Sequence, residues 1–454
     1  MNAAEMKGKR IAILGTGREG MSVLRYLRLK NPGQVFTLVD EKEPASKVLE
    51  QFGEHHELRI LSLDETGLDD FDVLIRSPGI SPYRKAIRSA VQAGVEVVSP
   101  STLWFAEHPR AKTICITGTK GKSTTSSLVA HLLASAGLNV RLAGNIGRPL
   151  LDCDDRGVDW WVIELSSYQL ADLEARPDIS VLLNLSPEHL DWHGNEAVYF
   201  ADKLRLAGLA DERTLVVNAA EPVLVDAVAF RKGTVWFNRP DAISARGGKL
   251  FSGSRELETG ELPGLPGHHN LSNAAAALTI ATAAGVGLEQ AVNALHDYRA
   301  LPHRLHLLGE SAGIKFVNDS ISSTPVATAA ALESLQDKVV TLIVGGLDRG
   351  VDWSPYMTRF RQFSPMAVIG VPDSGERIIG DLARHGIKPE AGLHAARNLE
   401  DAICLARSVT PAGGTVLLSP GSPSFPQFRD YRDRGRQFAR FCGFELAEEE
   451  LRES

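Results

Sequence analysis

Short apolar runs rich in β-branched residues alternate with amphipathic helical stretches along the whole chain. This alternation is typical of βαβ units, in which parallel strands form a sheet that helices cover. The pattern therefore predicts an α/β fold. The predicted strands are residues 10–14, 35–40, 73–77 and 95–99, then 113–117, 160–165, 181–185 and 214–217, and finally 315–318, 339–344, 366–369 and 415–418.

The length of the chain predicts more than one domain. Its 454 residues exceed what one hydrophobic core normally spans, and at about 150 residues per domain they indicate roughly three domains. The first boundary is expected in the charged, proline-containing stretch 108–112. The second is expected at 301–303, because proline restricts the residue before it and interrupts a helical pattern. The predicted domains are residues 1–110, 111–302 and 303–454.

Charge and composition limit the partners and the location. The 49 basic and 56 acidic residues give a net charge of −7, which opposes non-specific binding to nucleic acid or to an anionic membrane. The most apolar stretch, 274–288, is shorter than the roughly 20 residues that a membrane span needs. Residues 1–10 are polar and lack a signal-peptide core. We therefore expect a cytoplasmic protein without membrane insertion and without a nucleic-acid partner.

The four cysteines are far apart in the sequence and form no C-x-x-C pair. This spacing indicates neither a disulfide framework nor a structural zinc site. All four are predicted to be buried thiols.

A glycine-rich segment, T-G-T-K-G-K-S-T at 117–124, lies between a predicted strand and a predicted helix. Glycines let backbone N–H groups approach phosphate oxygens, and the following helix presents its positive end to them. Lys122 would contact the terminal phosphates, and Ser123 would offer a hydroxyl to Mg²⁺. The segment departs from the strict phosphate-binding pattern, because Ile116 stands where the first glycine is expected. The alternative interpretation is a tight turn with surface lysines.

Two further segments carry chemically useful side chains. Glu164 ends an apolar strand, where open α/β sheets bind ligands, and its carboxylate would suit Mg²⁺. His189 follows the predicted strand 181–185, and Lys203 lies in a helix predicted over 197–207. Taken alone, a carboxylate at a strand end is more often solvated than a ligand, and a single histidine is more often structural.

The N-terminal segment G-T-G-R-E-G at 15–20, with Asp40 about 20 residues further on, matches a dinucleotide-binding fingerprint. Read alone, it predicts an NAD-dependent oxidoreductase or, more simply, a glycine turn. A non-catalytic nucleotide-binding regulator is a further alternative.

Taken together, these segments resemble those of the Mur ligases of peptidoglycan precursor synthesis and of their relatives, the folylpolyglutamate synthases. The motifs that carry the resemblance are T-G-T-K-G-K-S-T at 117–124, E-L-S-S at 164–167, N-L-S-P-E-H-L-D at 184–191, the lysine at 203, H-N-L-S-N at 269–273 and L-P-H-R-L at 301–305. Within the family, the chain is most similar to the branch that joins glutamate to UDP-N-acetylmuramoyl-L-alanine. That similarity depends on G-T-G-R-E-G at 15–20, S-P-G-I at 77–80, E-L-S-S-Y-Q-L at 164–170, N-D-S at 318–320, G-G-L-D-R-G at 345–350 and Q-F-R-D-Y-R-D-R-G at 427–435.

The resemblance implies a Rossmann-like N-terminal domain that binds the UDP substrate, a central ATPase domain of the P-loop type, and a Rossmann-like C-terminal domain that binds glutamate. It also implies ATP-dependent ligation through an acyl phosphate, with ADP and phosphate as products. Lys203 matches the family's carbamylated lysine, whose formation requires the neutral amine. The implied catalytic residues are Lys122, Glu164, His189 and Lys203, and the implied Mg²⁺ ligands are Ser123, Glu164, His189 and Lys203.

Substrate-binding residues follow from the same resemblance. Those implied for ATP are Gly118, Thr119, Lys120, Gly121, Lys122, Ser123, Thr124, Asn270, Asn273, Arg304 and Asp319. Those implied for the UDP substrate are Arg18, Glu19, Asp40, Ser77, Pro78, Gly79, Ile80 and Asn145. Those implied for glutamate are Ser323, Arg349, Ser424, Phe425 and Tyr431.

The implied glutamate pocket departs from the pattern of enzymes that add D-glutamate. Their usual D-S-K-A-T-N reads D-S-I-S-S-T at 319–324, so Ile321 replaces a lysine. Arg349 stands where a second lysine is usual, and a planar guanidinium does not substitute simply for an ammonium. Phe425 and Tyr431 replace the usual leucine and phenylalanine. These changes favour the subset that adds L-glutamate and works beside a partner epimerase. The alternatives are the same reaction with D-glutamate and, more distantly, a folylpolyglutamate synthase-like ligase.

Overall fold

A computed structural model describes residues 1–41, 56–60, 67–260, 262, 264–265, 267–299, 301–335 and 339–445. These residues form three β-sheets with intervening helices, which confirms the predicted α/β fold. The chain divides into two compact units. One consists of Met1–Thr259 with Leu271–Leu295, and the other of Gly260–Asn270 with His296–Ser454.

The first sheet has five parallel strands in the order β3-β2-β1-β4-β5. Because β1 lies between β2 and β4, the chain proceeds from β1 and from β4 towards opposite edges of the sheet. Open α/β sheets bind ligands in the crevice at the carboxyl ends of the strands at such a switch point. All four strands predicted in this region are present, and β3 was not predicted. The strands are Ile11–Leu14 (β1), Phe36–Asp40 (β2), His56–Ile60 (β3), Val73–Arg76 (β4) and Glu96–Val98 (β5); the helices are Arg18–Lys30 (α1), Lys85–Gln92 (α2) and Pro100–Glu107 (α3).

The second sheet has nine strands in the order β14-β13-β12-β11-β10-β9-β6-β8-β7. It is parallel from β7 to β12, and β13 and β14 extend it as antiparallel strands. The strands are Thr113–Thr117 (β6), Val140–Gly144 (β7), Trp160–Glu164 (β8), Ile179–Leu182 (β9), Thr214–Asn218 (β10), Val235–Phe237 (β11), Ile243–Arg246 (β12), Lys249–Ser252 (β13) and Arg255–Leu257 (β14). The helices are Lys122–Ser135 (α4), Ser167–Leu170 (α5), Leu190–His193 (α6), Glu196–Leu209 (α7), Pro222–Ala227 (α8), His268–Ala283 (α9) and Leu288–Leu295 (α10).

The predicted strand at 181–185 is wrong in its position. Strand β9 ends at Leu182, and residues 183–189 belong to neither a helix nor a strand. The polar groups of Asn184 explain this early end, because they bond the glycine-rich segment instead of extending the sheet. The Asn184 carbonyl accepts from Thr119 N at 3.0 Å, and its side-chain oxygen accepts from Lys120 N at 2.8 Å.

The third sheet has six strands in the order β15-β16-β20-β17-β18-β19, and only β15 is antiparallel to its neighbour. The four strands predicted here are present. The strands are His306–Ser311 (β15), Ile314–Asn318 (β16), Val340–Gly345 (β17), Ala367–Val371 (β18), Leu393–Ala395 (β19) and Thr415–Leu418 (β20); the helices are Pro325–Glu333 (α11), Met357–Gln362 (α12), Gly375–Arg384 (α13), Leu399–Val409 (α14) and Tyr431–Phe441 (α15).

Among the described residues, every helix is too short or too polar to span a bilayer. All four cysteines are free thiols, but the prediction that all are buried is wrong for two of them. Cys115 and Cys442 are buried, Cys153 is half-buried, and Cys404 is exposed. Cys404 lies on helix α14, whose buried face is formed by neighbouring positions such as Ile403, so its thiol faces solvent.

Candidate active site

The glycine-rich segment forms a tight turn between β6 and α4. Gly121 has a φ of +80°, and a Cβ added there would lie 2.4 Å from Asn273 Oδ1. A Cβ added to Gly118 would lie 2.9 Å from the Cβ of Leu183. Both positions therefore require glycine. The turn leads into the N-terminus of a 14-residue helix, where the backbone N–H groups of the first turn and the helix dipole favour an anion.

Two lysine side chains converge on one carbonyl oxygen of this turn. Lys122 Nζ and Lys203 Nζ each donate to the Gly118 carbonyl at 2.9 Å, and Lys122 Nζ also donates to the Thr119 carbonyl at 2.9 Å. Lys203 is almost fully buried, on helix α7. Burial, and then the charge of Lys122, hold the pKa of Lys203 well below its usual value. Lys122 therefore places a positive charge beside the turn, whereas the environment of Lys203 favours its neutral amine.

Glu164 places a carboxylate in the same neighbourhood, since its charge acts on Lys203. It ends β8, and its side chain is buried. Asn145 Nδ2 donates to Glu164 Oε1 at 2.6 Å, and the Asn145 backbone N–H donates to the Glu164 carbonyl at 2.9 Å. Glu164 Oε2 is buried and has no hydrogen-bond partner among the described residues. A buried carboxylate oxygen without a donor is costly, and a bound cation would satisfy it.

His189 lies at the start of helix α6 with a φ of +57°, in the left-handed region. Such a conformation is uncommon for a residue with a side chain, and it often marks a functional position. Burial lowers the pKa of His189, and the charges of Lys203 and Lys122 lower it further, although Glu188 opposes them. The imidazole is therefore kept neutral, which is the form that binds metals. Glu188 in turn contacts Lys120 Nζ at 2.6 Å.

The side chains present fit Mg²⁺, which prefers oxygen ligands and retains several waters. The buried oxygen of Glu164 without a donor is the observation that supports this fit. Within the described ranges, no group of three or more histidine, cysteine, aspartate or glutamate side chains could hold a metal ion. A metal site here would therefore depend on the Ser123 hydroxyl, His189 and a modified Lys203 in addition to Glu164.

A network of hydrogen bonds around His193, one helical turn after His189, could not be predicted from the sequence. His193 Nδ1 lies 2.6 Å from Asp202 Oδ2, and His193 Nε2 lies 3.0 Å from Ser167 Oγ. The hydroxyl of Tyr83 donates to Asp202 Oδ1 at 2.6 Å. His193 follows His189 by one helical turn, and Asp202 precedes Lys203. This spacing is the only sequence signal for the network, and it does not reveal Tyr83.

The residues predicted for the UDP substrate gather at the carboxyl ends of β1, β2 and β4. The Thr16 backbone N–H and hydroxyl both donate to Asp40 Oδ2 at 2.6 Å. Ser77 Oγ donates to the Gly15 carbonyl at 3.3 Å, which joins the turns after β4 and β1. Burial raises the pKa of Glu19 to about 7. In the turn after β4, Pro78 and Ile80 are half-buried and Gly79 is exposed.

Two further residues predicted for the UDP substrate, Arg18 and Asn145, are connected through the segment that follows β7. Arg18 is exposed, and its guanidinium donates to the Gly147 carbonyl, in the segment just after Asn145. Asn145 itself bonds Glu164. The structure therefore connects the predicted UDP residues with the segment that positions the Glu164 carboxylate.

The second compact unit contains the remaining predicted residues. Asp319 is buried, and burial raises its pKa to about 6. Its two carboxylate oxygens accept from the Leu305 backbone N–H at 3.2 Å and from Ser419 Oγ at 2.7 Å. Arg304 is half-buried in this unit, and Asn270 is buried.

The five residues predicted for glutamate follow neighbouring strands of the third sheet at their carboxyl ends. Ser323, Arg349 and Phe425 are exposed, Tyr431 is half-buried and Ser424 is buried. In the described part of this unit, no hydrogen bond joins two of these five side chains. The structure thus places them on one edge of a sheet without connecting them directly.

Arg434 is a buried residue of this edge that the sequence reasoning did not single out. Its guanidinium donates to the Ser320 carbonyl at 2.8 Å, to Ser320 Oγ at 3.0 Å and to the Ser422 carbonyl at 3.0 Å. Burial lowers its pKa to about 9. It therefore joins the loops that carry Ser323 and Ser424. The only sequence feature that could have indicated this role is the position of Arg434 in the motif at 427–435.

We expect the stability of this unit to decrease in mild acid because of His303. Burial lowers the pKa of His303 to about 4, whereas an unfolded histidine has a pKa of about 6.5. The stabilisation from the neutral imidazole is complete above pH 6.5 and is lost as the pH falls through 4. Between pH 7 and pH 5 the contribution of His303 to the free energy of unfolding falls by about 2 kcal/mol, and the raised pKa of Asp319 offsets part of this loss. Urea unfolding at both pH values, compared between the unchanged chain and a His303→Gln variant, isolates the contribution of His303; the same pH dependence in both proteins would contradict it.

Comparison with known proteins identifies the family. Residues 116–281 match the Mur ligase middle domain, and residues 9–99 match the N-terminal domain described as Mur ligase MurD-like. UDP-N-acetylmuramoyl-L-alanine–L-glutamate ligase of Xanthomonas oryzae pv. oryzae is 41% identical over 98% of this chain and 98% of its own. The protein of the same name from Xylella fastidiosa is 41% identical over 98% of this chain and 97% of its own.

A solved structure has a similar fold. The MurF ligase from Thermotoga maritima, in complex with ADP, has a TM-score of 0.59 and 16% identity, and the match covers 100% of this chain and 96% of that one. The three β-sheets of this chain are consistent with the three-domain architecture of Mur ligases. Because of the identity to the L-glutamate ligases over nearly its whole length, the chain belongs to the Mur ligase family, a family of ATP-dependent ligases.

Proposed function

We propose that this enzyme joins L-glutamate to UDP-N-acetylmuramoyl-L-alanine at the expense of ATP, in the synthesis of peptidoglycan precursors. The observation that carries the proposal is the convergence of the Lys122 and Lys203 side-chain nitrogens on the Gly118 carbonyl, at 2.9 Å each, beside a buried carboxylate. A glycine-rich turn at a helix N-terminus with the Lys122 ammonium beside it favours a bound triphosphate. The named relatives support the substrates.

ATP would bind with its phosphates in the turn formed by Gly118, Thr119, Lys120 and Gly121. Backbone N–H groups of the turn and of the first helical residues, including Ser123 and Thr124, would contact phosphate oxygens. Lys122 would change partners, from the carbonyls of the turn to the terminal phosphates. Asn270, Asn273, Arg304 and Asp319 remain our assignments for the rest of the nucleotide.

The reaction would proceed through an acyl phosphate. An oxygen of the alanyl carboxylate attacks the γ-phosphorus, the bond from that phosphorus to ADP breaks, and ADP leaves. The glutamate amine then attacks the activated carbonyl carbon and gives a tetrahedral intermediate, from which phosphate departs as the amide forms and the amine loses a proton. Lys122 would offset the charge of the phosphoryl group during its transfer, since both reactants are anions.

Ser123, Glu164 and His189 would hold Mg²⁺, with Lys203 as a carbamate supporting them. Bound Mg²⁺ supplies charge neutralisation on the phosphate oxygens. Burial and the neighbouring Lys122 favour the neutral amine of Lys203, which is the form that takes up CO₂. The carbamate would also pair with the Lys122 ammonium and so remove the repulsion between the two lysines.

The N-terminal crevice would bind the uridine diphosphate end of the sugar nucleotide. This assignment includes Arg18, Glu19, Asp40 and the turn of residues 77–80, and Asn145 would contact the substrate near Glu164. We retain 1–110, 111–302 and 303–454 as the proposed domains, for the sugar nucleotide, ATP and glutamate respectively. A reaction that consumes ATP and a sugar nucleotide supports the expected cytoplasmic location.

The handedness of the glutamate is supported by two observations. Both reported relatives are named as L-glutamate ligases. In this chain Ile321 and Arg349 stand where D-glutamate enzymes usually have two lysines. An enzyme with this preference would need a partner epimerase to convert the product where a D-configured residue is required. Family membership favours this ligase over an NAD-dependent oxidoreductase or a non-catalytic regulator. The match of residues 9–99 to a MurD-like N-terminal domain favours it over a folylpolyglutamate synthase-like enzyme.

A paired incubation tests the proposed function. The full chain is supplied with ATP, Mg²⁺ and UDP-N-acetylmuramoyl-L-alanine, and each glutamate enantiomer is added separately. We expect phosphate release and a ligated product with L-glutamate and little of either with D-glutamate. Equal or greater turnover with D-glutamate would overturn the handedness. Phosphate release that depends on neither amino acid would overturn the ligase proposal.

The Arg349→Ala variant is expected to raise the KM for glutamate by about ten- to a hundredfold, since a charged hydrogen bond to a carboxylate contributes about 1.5–3 kcal/mol. The KM for ATP and for the sugar nucleotide should change little. Steady-state kinetics with each substrate varied in turn measures these constants. Arg384, an exposed arginine of the same unit, provides the control variant Arg384→Ala. Unchanged glutamate kinetics in Arg349→Ala would contradict this assignment.

A further inference from the structure

Arg76 is the last residue of β4, and its side chain is completely buried. A buried guanidinium is rare unless it is paired, because its desolvation is costly. Here Nε and Nη2 each donate to one carboxylate oxygen of Asp172 at 2.7 Å. This bidentate ion pair joins the first sheet to the segment that follows helix α5.

The remaining donors of Arg76 bond the turn that comes directly after it. Nη1 donates to the carbonyls of Ser77 at 3.3 Å, of Pro78 at 3.4 Å and of Ile80. Nη2 also donates to the Tyr168 carbonyl at 3.1 Å. The guanidinium therefore lies inside the turn of residues 77–80 and satisfies three of its carbonyl groups.

Trp192 also bonds this turn and the residue after it. Its indole N–H donates to the Gly79 carbonyl at 3.1 Å, and its own carbonyl accepts from Ser81 Oγ at 2.9 Å. The indole stacks on Tyr168 at 4.3 Å and lies 5.8 Å from the Arg76 guanidinium. Since Trp192 follows His189 by three residues, the turn is bonded to the two segments that carry Glu164 and His189.

We propose that Arg76, paired with Asp172, is a positioning residue for the sugar-nucleotide substrate. It holds the turn 77–80 in the conformation that binds the substrate, and it fixes that turn relative to the segments of Glu164 and His189. This inference rests on the proposed function, because that function assigns the turn to the UDP substrate. Ordering a flexible turn on ligand binding costs conformational entropy. Arg76 orders this turn before the substrate binds, so that cost does not reduce the affinity.

The effect of Arg76 should therefore appear in substrate binding more than in turnover. The Arg76→Lys variant keeps a charge for Asp172 but cannot reach three carbonyls with a planar fork. We expect its KM for UDP-N-acetylmuramoyl-L-alanine to rise about tenfold or more, with kcat within about threefold of the unchanged enzyme. The KM for ATP should stay unchanged. Calorimetric titration with the sugar nucleotide should show the same loss of affinity.

Two further variants separate positioning from stability. Arg76→Leu combined with Asp172→Leu replaces the ion pair with apolar groups, which is often neutral for stability, yet it leaves the turn without its donor. It should fold and show the same selective loss of affinity. Arg10 and Asp72 form a similar bidentate pair that is exposed at the opposite ends of β1 and β4, so Arg10→Lys is the matched control and should change neither constant.

The possible outcomes distinguish this inference from the proposed function. Unchanged affinity for the sugar nucleotide in a folded Arg76 variant, judged by its thermal unfolding, would overturn the inference, as would equal changes in the KM for ATP and in kcat. If Arg76→Lys does not fold, the double variant decides. If the enzyme without substitutions binds the sugar nucleotide but forms no product, the proposed function alone is overturned. If the enzyme without substitutions does not bind the sugar nucleotide, both the proposed function and this inference are overturned.

Discussion

The Lys122→Ala variant is expected to lower the rate of phosphate release by on the order of a thousandfold or more, because phosphoryl transfer depends mainly on electrostatic stabilisation by groups of this kind. Lys122 begins helix α4 and already reaches two carbonyls of the glycine-rich turn. Its removal takes a positive charge from the place where two anions must meet. Affinity for ATP should fall as well, which a nucleotide titration measures.

Two variants serve as controls for Lys122→Ala. Lys112 is an exposed lysine just before β6, and Lys112→Ala should leave phosphate release unchanged. Lys122→Arg keeps the charge but changes its shape, so partial activity would show that charge is the main contribution. Near-normal ligation by Lys122→Ala would contradict the assignment of the turn to the ATP phosphates.

The second large effect is expected at Lys203. Both Lys203→Met and Lys203→Arg should lose activity by on the order of a thousandfold, because neither side chain can carry a carbamate that supports the metal site. The comparison with arginine is informative, since it keeps a positive charge at this buried position. If Lys203 acted as a cation, Lys203→Arg would retain substantial activity.

A spectroscopic measurement tests the modification independently of activity. In the presence of ¹³C-labelled bicarbonate, the unchanged enzyme should show a ¹³C NMR signal of a lysine carbamate, and both Lys203 variants should lack it. An unchanged signal in the variants would place the modification on another lysine. Activity that persists without any carbamate signal would contradict the role proposed for Lys203.

The central strands of the fold could be predicted because they are continuous apolar runs. Strands β1 and β17 are buried at every position; β1 is apolar throughout, and Thr341 is the one polar residue of β17. The antiparallel strands β13 and β14 could not be predicted in the same way. They are three to four residues long and partly exposed, so they contain no apolar run that separates them from loops.

The candidate site was predictable where its residues are close in sequence. The turn that contains Gly118 and Gly121 has a local pattern, because each glycine is required by a close approach or by a positive φ. By contrast, the bond from Lys203 to the Gly118 carbonyl joins residues 85 positions apart, and that from Tyr83 to Asp202 joins residues 119 positions apart. Such contacts depend on tertiary packing between distant segments, which no local pattern encodes.

The predicted strand at 181–185 failed for a related reason. Leu183 and Leu185 are buried and apolar, as in a strand, but Asn184 between them bonds the glycine-rich turn. That turn follows β6, which is the neighbour of β9 in the sheet but lies more than 60 residues earlier in the sequence. A buried apolar residue therefore indicated the core correctly without indicating the conformation of the backbone.

The central claim is that the terminal carboxylate of the sugar nucleotide is activated by the γ-phosphoryl group of ATP. Isotope transfer tests it most directly: UDP-N-acetylmuramoyl-L-alanine carrying ¹⁸O in both carboxylate oxygens is incubated with ATP, Mg²⁺ and L-glutamate, and the released phosphate is analysed by mass spectrometry. An acyl phosphate leaves one carboxylate oxygen on the phosphate, so each phosphate released with a new amide bond should carry one ¹⁸O atom. Amide formation with unlabelled phosphate would contradict the claim.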